Sequence, residues 1–249
     1  MRTLFVGIVL SLSFQGFGQI VNVENLRLTD NKQGWSGRAE MNFNFIMNSR
    51  QLLQFGGELR ARYLKKRHQF LLVGDQSFVK SEGSDFVNRG FQHFRYNYHF
   101  KDSSRFCFEA FQQSQFNRIQ RIDFRHLLGS GLRFDVIDTK NYQLSVGSGF
   151  MWEYEELVEG AISRDLLSTS FLSFVGQFNK SIGLNTISYF QPKITNAGDF
   201  RFSNETSVRF KINKNLSFRL IYSIMHDTRD IEDVRKTNYV FRNALQISF

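Results

Sequence analysis

Apolar and polar side chains alternate along almost the whole chain after Gly34. In "GRAEMNFNFIM", Ala39, Met41, Phe43, Phe45 and Met47 fall on one face, and Arg38, Glu40, Asn42 and Asn44 on the other. "QLLQFGGELRARYL" sets Leu53, Phe55, Leu59, Ala61 and Tyr63 against Gln54, Glu58, Arg60 and Arg62. "FQHFRYNYHF" and "RFSNETSVRFKI" repeat the pattern. A period of two belongs to a strand with two unlike faces. Short polar turns lie near Lys65, Lys101, Asp138, Asn179 and Asn213, and mostly longer polar stretches fall between them. The hairpin signals predict about twelve strands. They start near Ser36, Gln51, Gln69, Gly90, Arg105, Ile119, Tyr142, Leu166, Ile182, Phe200, Leu216 and Thr237. Many run about 10–13 residues, close to the ~9–11 that a tilted strand needs to cross a hydrocarbon core.

The predicted fold is all-β: a transmembrane, antiparallel, up-and-down β-barrel over residues 34–249. A soluble sandwich would use shorter strands and hide its apolar faces inside. An even number of strands returns both chain ends to one side, and the five short turns fall on that side. Tyr63, Tyr142, Trp152, Tyr189 and Tyr239 lie near strand ends, where an aromatic girdle is expected. The last strand carries Tyr239, Phe241, Leu245, Ile247 and Phe249 on one face. This pattern resembles the signal read by the machinery that inserts outer-membrane barrels, a predicted assembly partner. The last strand is expected to pair with the first, because an open edge in lipid leaves backbone groups unbonded.

Composition fits two opposed faces. Phe is counted at 29 and Pro at 1, and aromatics are 16% of the chain. Mean hydropathy is nonetheless −0.33, because averaging hides an apolar face behind a polar one. At the start, Arg2 precedes an apolar run from Leu4 to Leu12, then Gly16 and Gly18. That is the plan of a secretory signal peptide over residues 1–18. Residues 19–33 would form an N-terminal periplasmic or plug segment. Export places the barrel in the outer membrane of a Gram-negative bacterium. The formal charge of +9 then points to a basic lumen or to outer-membrane lipids and lipopolysaccharide, and away from nucleic acid. A single Cys107 excludes an intramolecular disulfide, and no clustered Cys/His spacing calls for a metal or cofactor.

The face turned from lipid is crowded with charge. Glu58, Arg60, Arg62, Glu109, Arg121, Asp123, Arg125, Arg133, Glu205 and Arg209 are the candidate lumen residues. Arg38, Glu40, Asp135, Glu153, Arg219 and Arg242 share their face. Two readings stand: a web of salt bridges filling a narrow barrel, or a polar pore biased to anions by excess Arg. Gly129, Gly131, Gly147 and Gly149 also look inward and relieve crowding. Enzyme chemistry finds little support. His226 and Asp227 are adjacent and point to opposite faces. His126 and Ser130 would be ~13 Å apart along a strand. Asp230, Glu232 and Asp233 form an acidic loop, solvated or cation-binding. The expected function is a non-enzymatic barrel, either a narrow channel or an envelope-structural protein. The alternatives are a binding or adhesion barrel using the loops after Lys80, Tyr154 and His226, and a membrane hydrolase.

Residues 106–156 carry a recognisable order: "FEAFQQ", an Asn before basic residues, "LLGSGLR", then "GSGFMWEYEE". This resembles the middle of the uncharacterised salt-induced outer membrane protein family. The Phe-rich and Asn-rich character is similar to outer-membrane proteins of Bacteroidetes-type bacteria. The resemblance implies an outer-membrane barrel and brings no catalytic residues with it.

Overall fold

The computed structural model describes residues 33–47, 51–81, 87–101, 104–229 and 235–248. The segments 1–18 and 19–32, and the acidic loop at Asp230, Glu232 and Asp233, lie outside the described residues. Twelve strands form a closed antiparallel barrel in which each pairs with its chain neighbours. They are β1 (Gly34–Met47), β2 (Gln51–Lys65), β3 (His68–Ser81), β4 (Val87–His99), β5 (Phe106–Asn117) and β6 (Ile122–Asp138). There follow β7 (Tyr142–Leu157), β8 (Ile162–Gln177), β9 (Ile182–Pro192), β10 (Phe200–Lys211), β11 (Leu216–Asp227) and β12 (Thr237–Ser248). A 3-10 turn, Arg118–Gln120, joins β5 to β6.

Closure comes from β1 and β12, as the need to bond every edge requires. The seam runs from Arg38↔Ser248 to Met41↔Leu245. By contrast, β1 pairs with β2 along its full length, from Gly34↔Leu64 to Met47↔Gln51.

Side-chain alternation sorts the wall into two faces. Phe150, Leu59, Leu72 and Leu245 are more than half exposed and point outward. Arg62, Arg133, Glu153 and Gln246 are at most 1% exposed and point inward. Rings pack along the outer rims: Trp35 against Tyr63 and Tyr142 against Phe174 at the short-turn end, Phe190 against Phe200 at the other. Tyr189 is a correction to the expected girdle. It is 8% exposed, turned into the lumen, and packed on Phe171. Its strand has Ile187, Tyr189 and Gln191 on the inner face, so proximity to a strand end did not set its direction.

The loops also differ from expectation. "YEELVEGAISRD" and "KSEGSDFVNRG" read as loops because they are polar. Much of each is strand: β7 runs to Leu157 and β8 begins at Ile162, with Glu156 paired to Ile162. Polar residues continue a ladder above the apolar band as readily as they make a loop. The polar stretches "PKITNAGD" and "HDTRDIEDVRK" do fall mostly between strands, at residues 193–199 and 228–236.

The first of these is clipped by Lys193, whose Nζ lies 2.6 Å from Asp199 Oδ2 and 3.2 Å from Asp165 Oδ2. Burial lowers the Lys193 pKa, but the bonds to Asp199 and Asp165 outweigh it and raise the pKa above the usual lysine value. A raised pKa means the clip's stabilisation is complete below the unfolded value and is lost as pH rises through the folded one. The clip therefore holds throughout the neutral range. Lys193→Met should leave the barrel folded but speed proteolysis of this loop several-fold, as seen by limited digestion.

Candidate functional site

The lumen is layered. At the short-turn end a vestibule of about 1670 Å³ opens between the turns that follow β2, β4, β6 and β8. Arg38, Lys66, Arg67, Arg105, Lys140, Arg209 and Arg219 line it, against Asp135 and Asp138. A tight middle layer follows, enclosing a cavity of about 60 Å³. Part of this layer is apolar: Leu127, Met151 and Leu167 pack together with Phe111, and Leu71 and Val73 pack with Phe91. Sequence reading missed these residues, because single apolar residues on a polar face look like noise in an alternating pattern.

The inward glycines belong to the middle layer. Phe111 covers Gly129, and Phe171 covers Gly147. Gly131 and Gly149 face each other across β6 and β7. A Cβ on Gly149 would lie 2.2 Å from Ser130 O and 2.6 Å from Gly131 Cα.

Beyond the middle, charge crosses the lumen. Arg201 on β10 donates from Nη1 to Glu153 Oε2 at 2.6 Å and from Nη2 to Glu153 Oε1. Glu153 sits on β7, three strands away, so this bidentate pair bridges walls that are not neighbours. Arg125 lies 3.7 Å from Glu153 and bonds Glu155. Arg229, in the loop after β11, bonds Glu155 and donates from Nη2 to Asp227 Oδ2 at 2.7 Å. Arg201 Nε lies 3.3 Å from the same Asp227 oxygen. Arg125, Arg201 and Arg229 thus face Glu153, Glu155 and Asp227, and these six charges balance. Burial lowers the Arg229 pKa, but the bonds to Asp227 and Glu155 outweigh it and raise it.

Two further groups line the walls. Glu109 lies between Arg95 (3.6 Å) and Arg133 (4.0 Å), and Arg133 also reaches Asp135 at 2.6 Å. Across the lumen, Arg60 pairs with Glu58, Arg219 with Glu40 at 2.5 Å, and Arg242 with Glu205 at 3.6 Å.

Of the candidate lumen residues, Arg60, Arg62, Glu109, Arg125, Arg133 and Glu205 are buried on the inner face, and Glu58 sits beside Arg60. Arg209 lines the vestibule and donates to Gln177 Oε1. Arg121 and Asp123 depart from expectation. Arg121 lies in the turn before β6, at φ 58°, and pairs with Glu159. Asp123 is 40% exposed and pairs with Arg118 at 2.7 Å. The inward count assumed an unbroken strand from Ile119. A 3-10 turn and a register shift between Ile122 and Phe124 change the parity just before Arg125. Tyr239, Phe241, Leu245 and Ile247 of the expected assembly signal point outward, and Phe249 lies outside the described residues.

The outer wall holds one contact that sequence spacing did not suggest. His126 Nδ1 lies 2.9 Å from Ser114 Oγ, its cross-strand partner, and Gln112 Nε2 donates to the same hydroxyl at 2.9 Å. Phe124 and Trp152 flank the ring. Among the described residues no carboxylate bonds this histidine, and nucleophilic catalysis needs such an orienting group.

A closed, twelve-strand antiparallel barrel, apolar outside and ion-paired within, has the fold of outer-membrane β-barrels, porins and channels among them. The chain belongs to the family described as "Protein of unknown function, DUF481", which matches residues 48–249. The COG4313 outer membrane channel from Pseudomonas putida F1 is 10% identical, over 88% of this chain and 97% of that one, with a TM-score of 0.55. The translocator domain of autotransporter NalP from Neisseria meningitidis is 6% identical, over 88% and 89%, at 0.53. The NanC porin is 10% identical, over 86% and 97%, at 0.50. At these identities the likeness is one of fold. No curated protein matches the sequence.

Proposed function

We propose that this protein is a non-enzymatic outer-membrane channel for small anions, with a narrow path held shut at its outer end by the ion-paired layer. The observation that carries this reading is the vestibule, whose lining has seven Arg and Lys residues against Asp135 and Asp138. A basic cavity with low-dielectric walls concentrates anions, and charged side chains set pore selectivity. The names of two similar folds, a porin and an outer membrane channel, support it. The short turns would face the periplasm and the longer connections the exterior. Residues 1–18 would be the export signal, and the outer wall would meet outer-membrane lipids and lipopolysaccharide.

A second reading is a closed envelope-structural barrel, favoured by the bridge from Arg201 to Glu153 across the lumen. Conductance in a planar bilayer, with a salt gradient for selectivity, separates the two. Discrete anion-selective steps are expected, and Arg209→Glu should move the reversal potential toward cations. A folded but silent barrel would favour the structural reading instead. Release of labelled fatty acid from phospholipid would overturn both and direct attention to Ser114 and His126.

A further inference from the structure

Four arginines meet at the inner end of the vestibule. Arg38 and Arg60 are directly opposed on β1 and β2, and Arg209 and Arg219 are directly opposed on β10 and β11. Like charges facing each other across strands destabilise a sheet. Two of the four are neutralised, Arg60 by Glu58 and Arg219 by Glu40. The other two have no carboxylate among the described residues. Arg209 donates to a neutral amide, Gln177. Arg38 Nε is buried and makes no hydrogen bond. Arg38 also lies in the repulsive fields of Arg60, Arg219 and Arg209, with Glu40 opposing them. The surplus is therefore two positive charges, beside a water-accessible cavity and held by rigid strands.

Away from the vestibule, Arg125, Arg133, Arg201 and Arg229 each bond a carboxylate. An unneutralised pair of guanidinium groups is costly unless something in solution completes it. We infer that Arg38 and Arg209 form a binding site for a small doubly charged oxyanion, of the phosphate or sulfate class, with Arg219 as a supporting cation. Guanidinium forks match tetrahedral and planar oxyanions through parallel N–H···O bonds, which a monatomic anion such as chloride cannot use as well. Ser207 and Gln246 line the same cavity and supply neutral donors. This inference uses the vestibule of the channel reading, but it needs no conducting path.

The test uses the full-length protein refolded in a zwitterionic detergent. Inorganic phosphate is titrated at constant ionic strength against chloride, with heat of binding and the unfolding midpoint as readouts. Saturable binding near one phosphate per chain is expected, with a midpoint that rises with phosphate by linkage. Inorganic sulfate should compete. Arg38→Gln and Arg209→Gln should each weaken phosphate binding about tenfold, the loss of one charge-assisted contact. Each variant should fold at least as well as the wild type, because it relieves repulsion. Arg164→Gln, on the exposed outer wall, should change nothing. Non-saturable heats in the wild type would overturn the inference without any variant. So would saturable binding that survives Arg38→Gln combined with Arg209→Gln. A silent barrel that binds phosphate would reject only the channel, and a conducting barrel that does not bind would reject only this site.

Discussion

Glu153→Ala is expected to destabilise the barrel by about 3–5 kcal/mol, the usual cost of breaking a buried ion pair from one side. Glu153 is fully buried and takes both terminal nitrogens of Arg201, with Arg125 beside it. Its removal leaves Arg201 sharing Asp227 with Arg229, and the balanced set is left with one uncompensated positive charge. Replacing both ends by apolar residues, Glu153→Met with Arg201→Met, should recover much of that loss, because neither charge then needs desolvation. Denaturant unfolding of the lipid-reconstituted protein would measure the cycle. A single variant as stable as the wild type would show that the bridge across the lumen holds nothing together. If the layer is also the barrier of a channel, the alanine variant should conduct more than the wild type.

The second large effect is expected at Gly149. Gly149→Ala places a methyl group 2.2 Å from Ser130 O and 2.6 Å from Gly131 Cα. Both obstacles are backbone, so no rotamer change relieves them. Strands β6 and β7 must move apart where Gly131 faces Gly149. Overpacking of this kind costs about 1–3 kcal/mol and occasionally more, and the absence of a movable partner puts Gly149 at the upper end. Gly74→Ala is the control. A Cβ there meets nothing within 4 Å, and the variant should unfold like the wild type. Equal stability of the two variants would mean that β6 and β7 separate at little cost.

Much of the wall was legible because strand alternation is a local property. Expected starts at Gln51, Tyr142, Ile182, Phe200, Leu216 and Thr237 coincide with the observed strands. The departures have local causes too. One extra residue near Ile122 changed the parity before Arg125, and Asp123 fell outside the lumen. Polar residues that continued the ladder of β7 and β8 passed for a loop. What sequence could not supply is pairing across the barrel. Arg201 and Glu153 lie on strands three apart, and their meeting depends on barrel radius and strand stagger. The same holds for Arg38 and Arg209. Their types were visible as charges on a polar face, but a lack of carboxylate partners belongs to the closed tube.

The short seam between β1 and β12 has a consequence for the order of events. Every other strand pair closes a local hairpin, whereas the seam joins Met41 to Leu245, nearly the whole chain apart. Bringing such distant segments together costs more entropy than zipping a hairpin, and few ladder rungs offset it here. Closure of the tube is therefore expected to be the last step of assembly and the first reversed under tension. A pulled barrel should come unlatched between its two terminal strands, and a competing strand supplied in trans would add there.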